Sequence, residues 1–546
     1  MMKKMKEKKQ IWIGLAALLI LGIASFIYWS AQKEVWFCDE IYSYESANGF
    51  EQSWPATNVA QWMTGEDVED FFSADGDSLS LKRISDVLYG DHVPLFFWLF
   101  RMVSLWFFKG SGTIWIGLTI NLVFYILYLT VGYLWMSKLT KNPVAAGVIL
   151  LIGAVLTKTM ISQTTMLRMY VMLAFAELLL ILVGARILRE INGKKMKAMT
   201  FIYMFIFSVF GLLTHYDYWV FYAVTATVFC CWLLIKALQK KKQFWKSIEL
   251  KYVMAWVGNF IASLGATIAI FPYCRWNLNK GKGQTALHSL VVFSEEKTDL
   301  LTWGMERLKS SFLGDGFPMI AGLLIMLGCI TGGAIVLYKR KEKEKCAGLI
   351  ITIIISLVYQ FFICFTMPAV AEERYLWGTF TLIHLCILWS VYLVADALCK
   401  KIKDAKKSNL CKTIVCSVVA AVVIAGQILI VDGGNNIPYL FHPDKDVKLL
   451  EENSNIPWVV YGPTGGVYSY YDWMMAEEIC FLSPDETAED ALAVQQLSDR
   501  ERFVMYAYPE YEELAMNFFE RELGKELKCE ELTKSTNLTV YVISAE

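Results

Sequence analysis

The sequence predicts a mainly α, polytopic membrane helix bundle of about eleven transmembrane helices, followed by a small exoplasmic C-terminal α/β domain. Three observations predict it. Apolar residues fill 56% of the 546 positions, at a mean hydropathy of +0.42, and they fall in long blocks. Lysine and arginine cluster in every second gap between those blocks. After residue 431 the chain turns acidic, and its pattern changes to short apolar runs separated by helix-like stretches.

The blocks run over 11–30, 112–136, 143–160, 169–187, 199–214, 218–236, 252–272, 318–338, 347–367, 374–397 and 412–431. Each is near the ~20 residues that cross ~30 Å of hydrocarbon. The first follows a basic MMKKMKEKKQ start with no small-residue cleavage site after it, so it reads as an uncleaved helix. The gaps 137–142, 186–197, 236–246, 338–345 and 399–407 are basic, which places them and the N-terminus in the cytoplasm. The exoplasmic gaps are then 31–111, 161–168, 215–218, 273–317, 368–373 and everything after 431. The chain reads as a multi-pass cell-membrane protein with a transmembrane domain over 1–431 and a soluble domain over 432–546.

One segment decides this parity. Val93–Phe108 is apolar but short, with Arg101 in its middle. As a span it would invert every later loop, and a centred arginine would cost about 2.5–3.5 kcal/mol. It is therefore expected to be a juxtamembrane helix over 93–108, inside the exoplasmic loop 32–111, with Arg101 snorkelling to the headgroups.

In the C-terminal segment, 458–462, 502–508 and 539–544 read as strands, and 486–498 and 510–523 as helices, in an α/β alternation. GPTGG (462–466) lacks the Lys-Ser/Thr of a phosphate-binding loop and reads as a turn. Net charge is −1, which implies no nucleic-acid partner. The thirteen cysteines include no C-x-x-C and no Cys/His cluster. Cys480 and Cys529 could pair in an oxidising compartment or stay as two thiols.

Polar groups beside membrane helices are costly and so are functional candidates. WFCDEIYSYE (36–45) puts Asp39 and Glu40 just past the first helix, as a general base with a neighbour or as two solvated loop acids. Arg168 with Tyr170, and Arg374 with Tyr375, stand at two exoplasmic helix mouths. A guanidinium there suits a phosphate, or it simply snorkels or pairs with Glu372 and Glu373. His215 and Asp217 occupy a tight turn. Asp91 and His92 precede Pro94 and could cap the helix that follows. The topology, argued without these residues, puts them all on one face. Acids that activate a nucleophile and cations that stabilise a departing phosphate are what a lipid-phosphate reaction needs.

The ordered set resembles the C-type glycosyltransferases, most of all the family 39 group of protein O-mannosyltransferases and lipid A aminoarabinose transferases. The matching segments are the loop with Asp39, Glu40, Tyr42 and Tyr44, then DHVPLFFWLFR (91–101), LRMYVMLAFAELL (167–179) and RYLWGTFTLI (374–383). They span about 390 residues. The resemblance implies a polyprenyl-phosphate sugar donor, exoplasmic transfer with inversion, and a glycan, lipid or protein acceptor. It implies catalysis at Asp39 with Glu40 as neighbour, and donor-phosphate contacts from Arg374, Arg168 and His215. Tyr42, His92, Tyr170 and Tyr375 are the candidate pocket residues. The chain departs from the pattern at His92-Val93, where a proline is expected, and lacks the usual acid after Met169. No cofactor or metal ligand is assigned, and a divalent cation stays an open alternative. A transporter or flippase of lipid-linked substrates is the alternative function. It predicts mid-membrane charges and inverted repeats, and no repeat is visible. An external-ligand sensor is a third class.

Overall fold

A computed structural model describes residues 2–50, 52–74, 78–280, 284, 295–366, 372–402, 404–441, 445–463, 469–535 and 537–545. Parts of two expected features, the 368–373 gap and the GPTGG turn, lie outside the described residues.

All eleven apolar blocks are helical. They form α1 (Met2–Ser30), then, after a short α2 (Cys38–Tyr44) and α3 (Leu95–Phe107), α4 (Trp115–Thr140), α5 (Pro143–Ala154), α6 (Lys158–Thr165), α7 (Tyr170–Asn192), α8 (Ala198–Leu212), α9 (Tyr216–Leu238) and α10 (Ile248–Ile270). After α11 (Glu295–Leu313) come α12 (Met319–Lys339), α13 (Lys343–Thr366), α14 (Trp377–Cys399) and α15 (Ala405–Val431). Among the described residues nine helices are long and apolar enough to cross a bilayer. The count of eleven is met less simply than expected. The third block is two helices, α5 and α6, bent by 67° at a break, and counts as a tenth span only if the pair is continuous. The fifth, α8, has 15 residues, about 22 Å of rise. The chain is a multi-pass membrane protein: leucine, isoleucine and valine side chains stay exposed along the outer helices, as a bilayer requires. Helices α7 and α14, buried along most of their length, form the hub.

Helix α3 has 13 residues, about 20 Å, too short to span. The expectation for Arg101 fails, however. Arg101 is 5% exposed, donates from Nε to the Ser78 carbonyl at 3.3 Å and lies over the Phe50 ring. It ties the helix to the loop above it instead of reaching for headgroups. Trp106 and Phe107 at the end of α3 are the exposed groups.

The C-terminal segment forms a sheet in the order β1-β3-β2-β4-β6-β5. The strands are β1 (Trp62–Met63), β2 (Trp458–Tyr461), β3 (Ile479–Leu482), β4 (Arg502–Ala507), β5 (Leu527–Ser535) and β6 (Leu538–Ala545). β2 runs parallel to β3 and β4, and the remaining pairs are antiparallel. Helices α16 (Ala488–Gln495) and α17 (Glu512–Leu523) make the crossovers. Alternation along each strand divides the side chains between two faces. Val459, Cys480, Phe503 and Ile543 pack under α16 and α17. Trp458, Ile479, Val504 and Val540 join the core that continues into the membrane bundle.

That second face corrects the expected boundary at 432. β1 comes from the loop after α1, and Trp62 donates from its indole to the Ala493 carbonyl. The sheet is therefore built from both ends of the chain. Cys480 and Cys529 are free thiols on β3 and β5, with three strands between them in the sheet. At the junction Gly65 donates to the Ala476 carbonyl at 2.8 Å, and a Cβ on Gly65 would lie 2.4 Å from the Met474 carbonyl oxygen. Backbone cannot yield there as a side chain would. Gly65→Ala is expected to destabilise this docking by about 1–3 kcal/mol, seen as faster proteolysis of the 50–80 loop in the detergent-solubilised protein. Unchanged cleavage would show that the loop does not depend on the sheet.

Candidate active site

The site starts from Glu40. Phe37 has an extended backbone and no capping side chain, so α2 needs another N-terminal acceptor. Glu40, at the third position of the helix, supplies it: Oε2 accepts the Phe37 N–H at 2.7 Å. Its Oε1 accepts the Leu167 N–H at 2.6 Å and meets Lys33 Nζ at 3.1 Å. The carboxylate is wholly buried. Burial pulls the Lys33 pKa below its ordinary value, and the Glu40 charge offsets only part of that. Glu40 is thus not a solvated loop acid: it is enclosed, and it fixes three segments of chain around α2.

A helical step of 100° turns the neighbouring residue away from Glu40. The Asp39 side chain is 29% exposed, and its Oδ2 lies 3.0 Å from Arg374 Nη2. Arg374 is 6% exposed, with Phe37 and Tyr375 rings at 4.8 and 5.2 Å. Burial opposes its charge, but Tyr170, Tyr375 and Asp39 hold its pKa above the ordinary value, so it stays a cation. Nη2 also donates to the Tyr375 hydroxyl at 3.4 Å. Nε and Nη1 have no hydrogen-bond partner among the described residues. A buried, charged guanidinium with two unmatched donors beside a carboxylate is prepared for an anion.

Arg168 stands beside the Asp39 backbone. It is 2% exposed, and Nη1 donates to the Asp39 carbonyl at 2.9 Å and to Ser43 Oγ at 2.7 Å. Nη2 lies 3.4 Å from His92 Nε2. These contacts tie it to the Asp39 backbone and so position α2, while its Nε has no hydrogen-bond partner among the described residues. His92 does not cap α3, since Pro94 occupies that place with no side-chain cap. His215 caps α9: its Nδ1 accepts the Asp217 N–H at 3.1 Å and lies 3.2 Å from Asp217 Oδ2. The His215 ring lies 5.8 Å from Tyr170 and 6.4 Å from Tyr375, whose own ring faces Arg374. Tyr42 stands apart at the rim, 43% exposed and edge-on to Trp54.

The glutamates preceding Arg374 do not pair with it. Glu373 meets Lys158 at 3.6 Å, and Glu372 accepts the Tyr439 hydroxyl at 3.3 Å. Tyr439 in turn stacks on Phe37 at 3.9 Å. Sequence reasoning missed Lys158 and Tyr439. Lys158 had a signal, a lone cation in an apolar block, and the α5–α6 break is where it surfaces. Tyr439 had none. Among the described residues no group of three or more His, Cys, Asp or Glu side chains could hold a metal ion.

No protein-family model matches the chain, and no curated protein matches it. Solved structures do resemble it. ArnT from Cupriavidus metallidurans bound to undecaprenyl phosphate is similar at a TM-score of 0.47 and 9% identity, over 97% of this chain and 98% of that one. The same protein in the apo state gives 0.46 and 10%, over 96% and 98%. The archaeal oligosaccharyltransferase AglB from Archaeoglobus fulgidus, in complex with an inhibitory peptide and a dolichol-phosphate, gives 0.46 and 11%, over 92% and 69%.

Proposed function

We propose that this chain is a membrane glycosyltransferase that moves a sugar, with inversion, from a polyprenyl-phosphate donor to a glycan, lipid or protein acceptor. The observation that carries the reading is the Asp39–Arg374 pair, an open carboxylate 3.0 Å from a buried guanidinium with unmatched donors. Asp39 accepts the proton of the acceptor hydroxyl. The acceptor oxygen bonds to the anomeric carbon as the bond from that carbon to the phosphate oxygen breaks. The electron pair leaves on the phosphate, which needs no general acid and is held by Arg374, with the His215 ring nearby. Glu40 and Arg168 position Asp39, and Tyr170 and Tyr375 line the approach. A site at the ends of membrane helices suits a donor anchored by its lipid.

The charge pattern supports an N-terminus in the cytoplasm and a site and C-terminal sheet on the exoplasmic face. The reading is tested by comparing envelope glycans and lipids in a deletion strain complemented with the wild-type or Asp39→Asn chain. A sugar modification lost in the deletion, restored by wild type and not by the variant, is expected. A lost transport activity with unchanged glycans would instead favour the flippase reading.

A further inference from the structure

At the end of the bundle remote from Asp39 the helices leave a groove of about 370 Å³. Its walls come from α4, α7, α8, α13 and α14 and are apolar, with Leu134, Leu182, Phe207, Leu349 and Trp389 among them. Its mouth is cationic. Lys138 in the last turn of α4, Arg186 and Arg189 near the end of α7 and Lys345 in the first turn of α13 line it, against one acid, Glu344. Arg186 already pairs with Glu190, and Lys345 with Glu342. Lys138 and Arg189 have no ion-pair partner among the described residues. Both are exposed beside the groove.

A cationic rim over an apolar slot is the inverse of a lipid with a charged head and an acyl tail. We propose that this groove binds an anionic glycerophospholipid from the leaflet remote from the active site. Its phosphate sits among Lys138, Arg186, Arg189 and Lys345, where guanidinium groups can bind two phosphate oxygens at once. One acyl chain lies along Leu134, Leu182, Phe207 and Trp389. A zwitterionic lipid offers the same chain but cancels its own charge, so the rim distinguishes the two. This site is independent of the sugar-transfer reading, because none of its residues touches Asp39 or Arg374.

The test uses the full chain, purified in detergent and exposed to mixed micelles with equal phosphatidylglycerol and phosphatidylcholine. Retained lipids are counted by native mass spectrometry. Wild type is expected to retain phosphatidylglycerol about tenfold over phosphatidylcholine. The double variant K138Q/R189Q, made at exposed positions, is expected to bring the two near parity. The variant K339Q/K341Q removes two cations at the end of α12, outside the groove, and is expected to keep the wild-type ratio. Equal retention by wild type overturns the site. So does an unchanged ratio in K138Q/R189Q. An equal loss in K339Q/K341Q would overturn it as well, because the preference would then be diffuse surface charge.

Discussion

Asp39→Asn is expected to slow sugar transfer by about 10²–10⁴-fold, the range for a lost general base. Asparagine has the same shape and can still accept from Arg374 Nη2, but it cannot take the acceptor's proton. The fold should survive the exchange for a specific reason. The contacts that hold α2 at this position use the Asp39 carbonyl, which accepts from Arg168 and from Ser43 Oγ at 2.8 Å, and leave the carboxylate out. Arg374 keeps the faces of Phe37 and Tyr375. The measurement is an initial transfer rate in proteoliposomes, with the amount of folded protein fixed by its melting midpoint. A variant within tenfold of wild type at equal folded protein would remove Asp39 from catalysis.

Glu40→Ala is expected to act one step earlier and cost the fold about 3–5 kcal/mol, the price of breaking a buried ion pair from one side. It strands the Lys33 ammonium, fully buried, and it orphans the Phe37 and Leu167 N–H groups. Alanine leaves all three without water. Glu40→Gln should fall between, since its amide oxygen can still cap Phe37 while the Lys33 charge stays unmatched. Membrane yield and melting midpoint rank the three chains. If Glu40→Ala melts with wild type yet loses activity, Glu40 acts on the substrate and the positioning role assigned to it is wrong.

The membrane helices were legible in the sequence because a bilayer imposes one demand on every span, and block length and loop charge express it directly. The sheet was legible only in part. β2, β4 and β6 alternate and are rich in β-branched and aromatic residues. β5 reads LKCEELTKS, too charged to stand out, and β1 is two residues whose partner lies in the opposite end of the chain. The site shows the same limit. Asp39 and Glu40 are adjacent acids with the same chemistry, and the buried Lys33 and the N–H of Leu167, distant in sequence, are what draw Glu40 inward. Arg168 and Arg374 also look alike in sequence, each followed by a tyrosine at a helix mouth. The Asp39 backbone claims one and the Asp39 carboxylate claims the other. Arg101 was misread for a related reason, because its partners Ser78 and Phe50 come from the loop and not from the lipid.

The strand β1 also sets a timetable. Trp62 bonds to Ala493, 431 residues later in the chain. At synthesis rates of about 5–20 residues per second the ribosome needs about 20–90 s to cover that distance. During this interval the loop that carries Asp39 has no sheet to join. The segment is then an unpaired stretch with Trp54, Trp62 and Phe72 uncovered, which makes it a natural client for a chaperone. Biogenesis thus orders the parts of the molecule: the bundle is inserted helix by helix, and the loop bearing Asp39 takes its final shape after the last strands emerge.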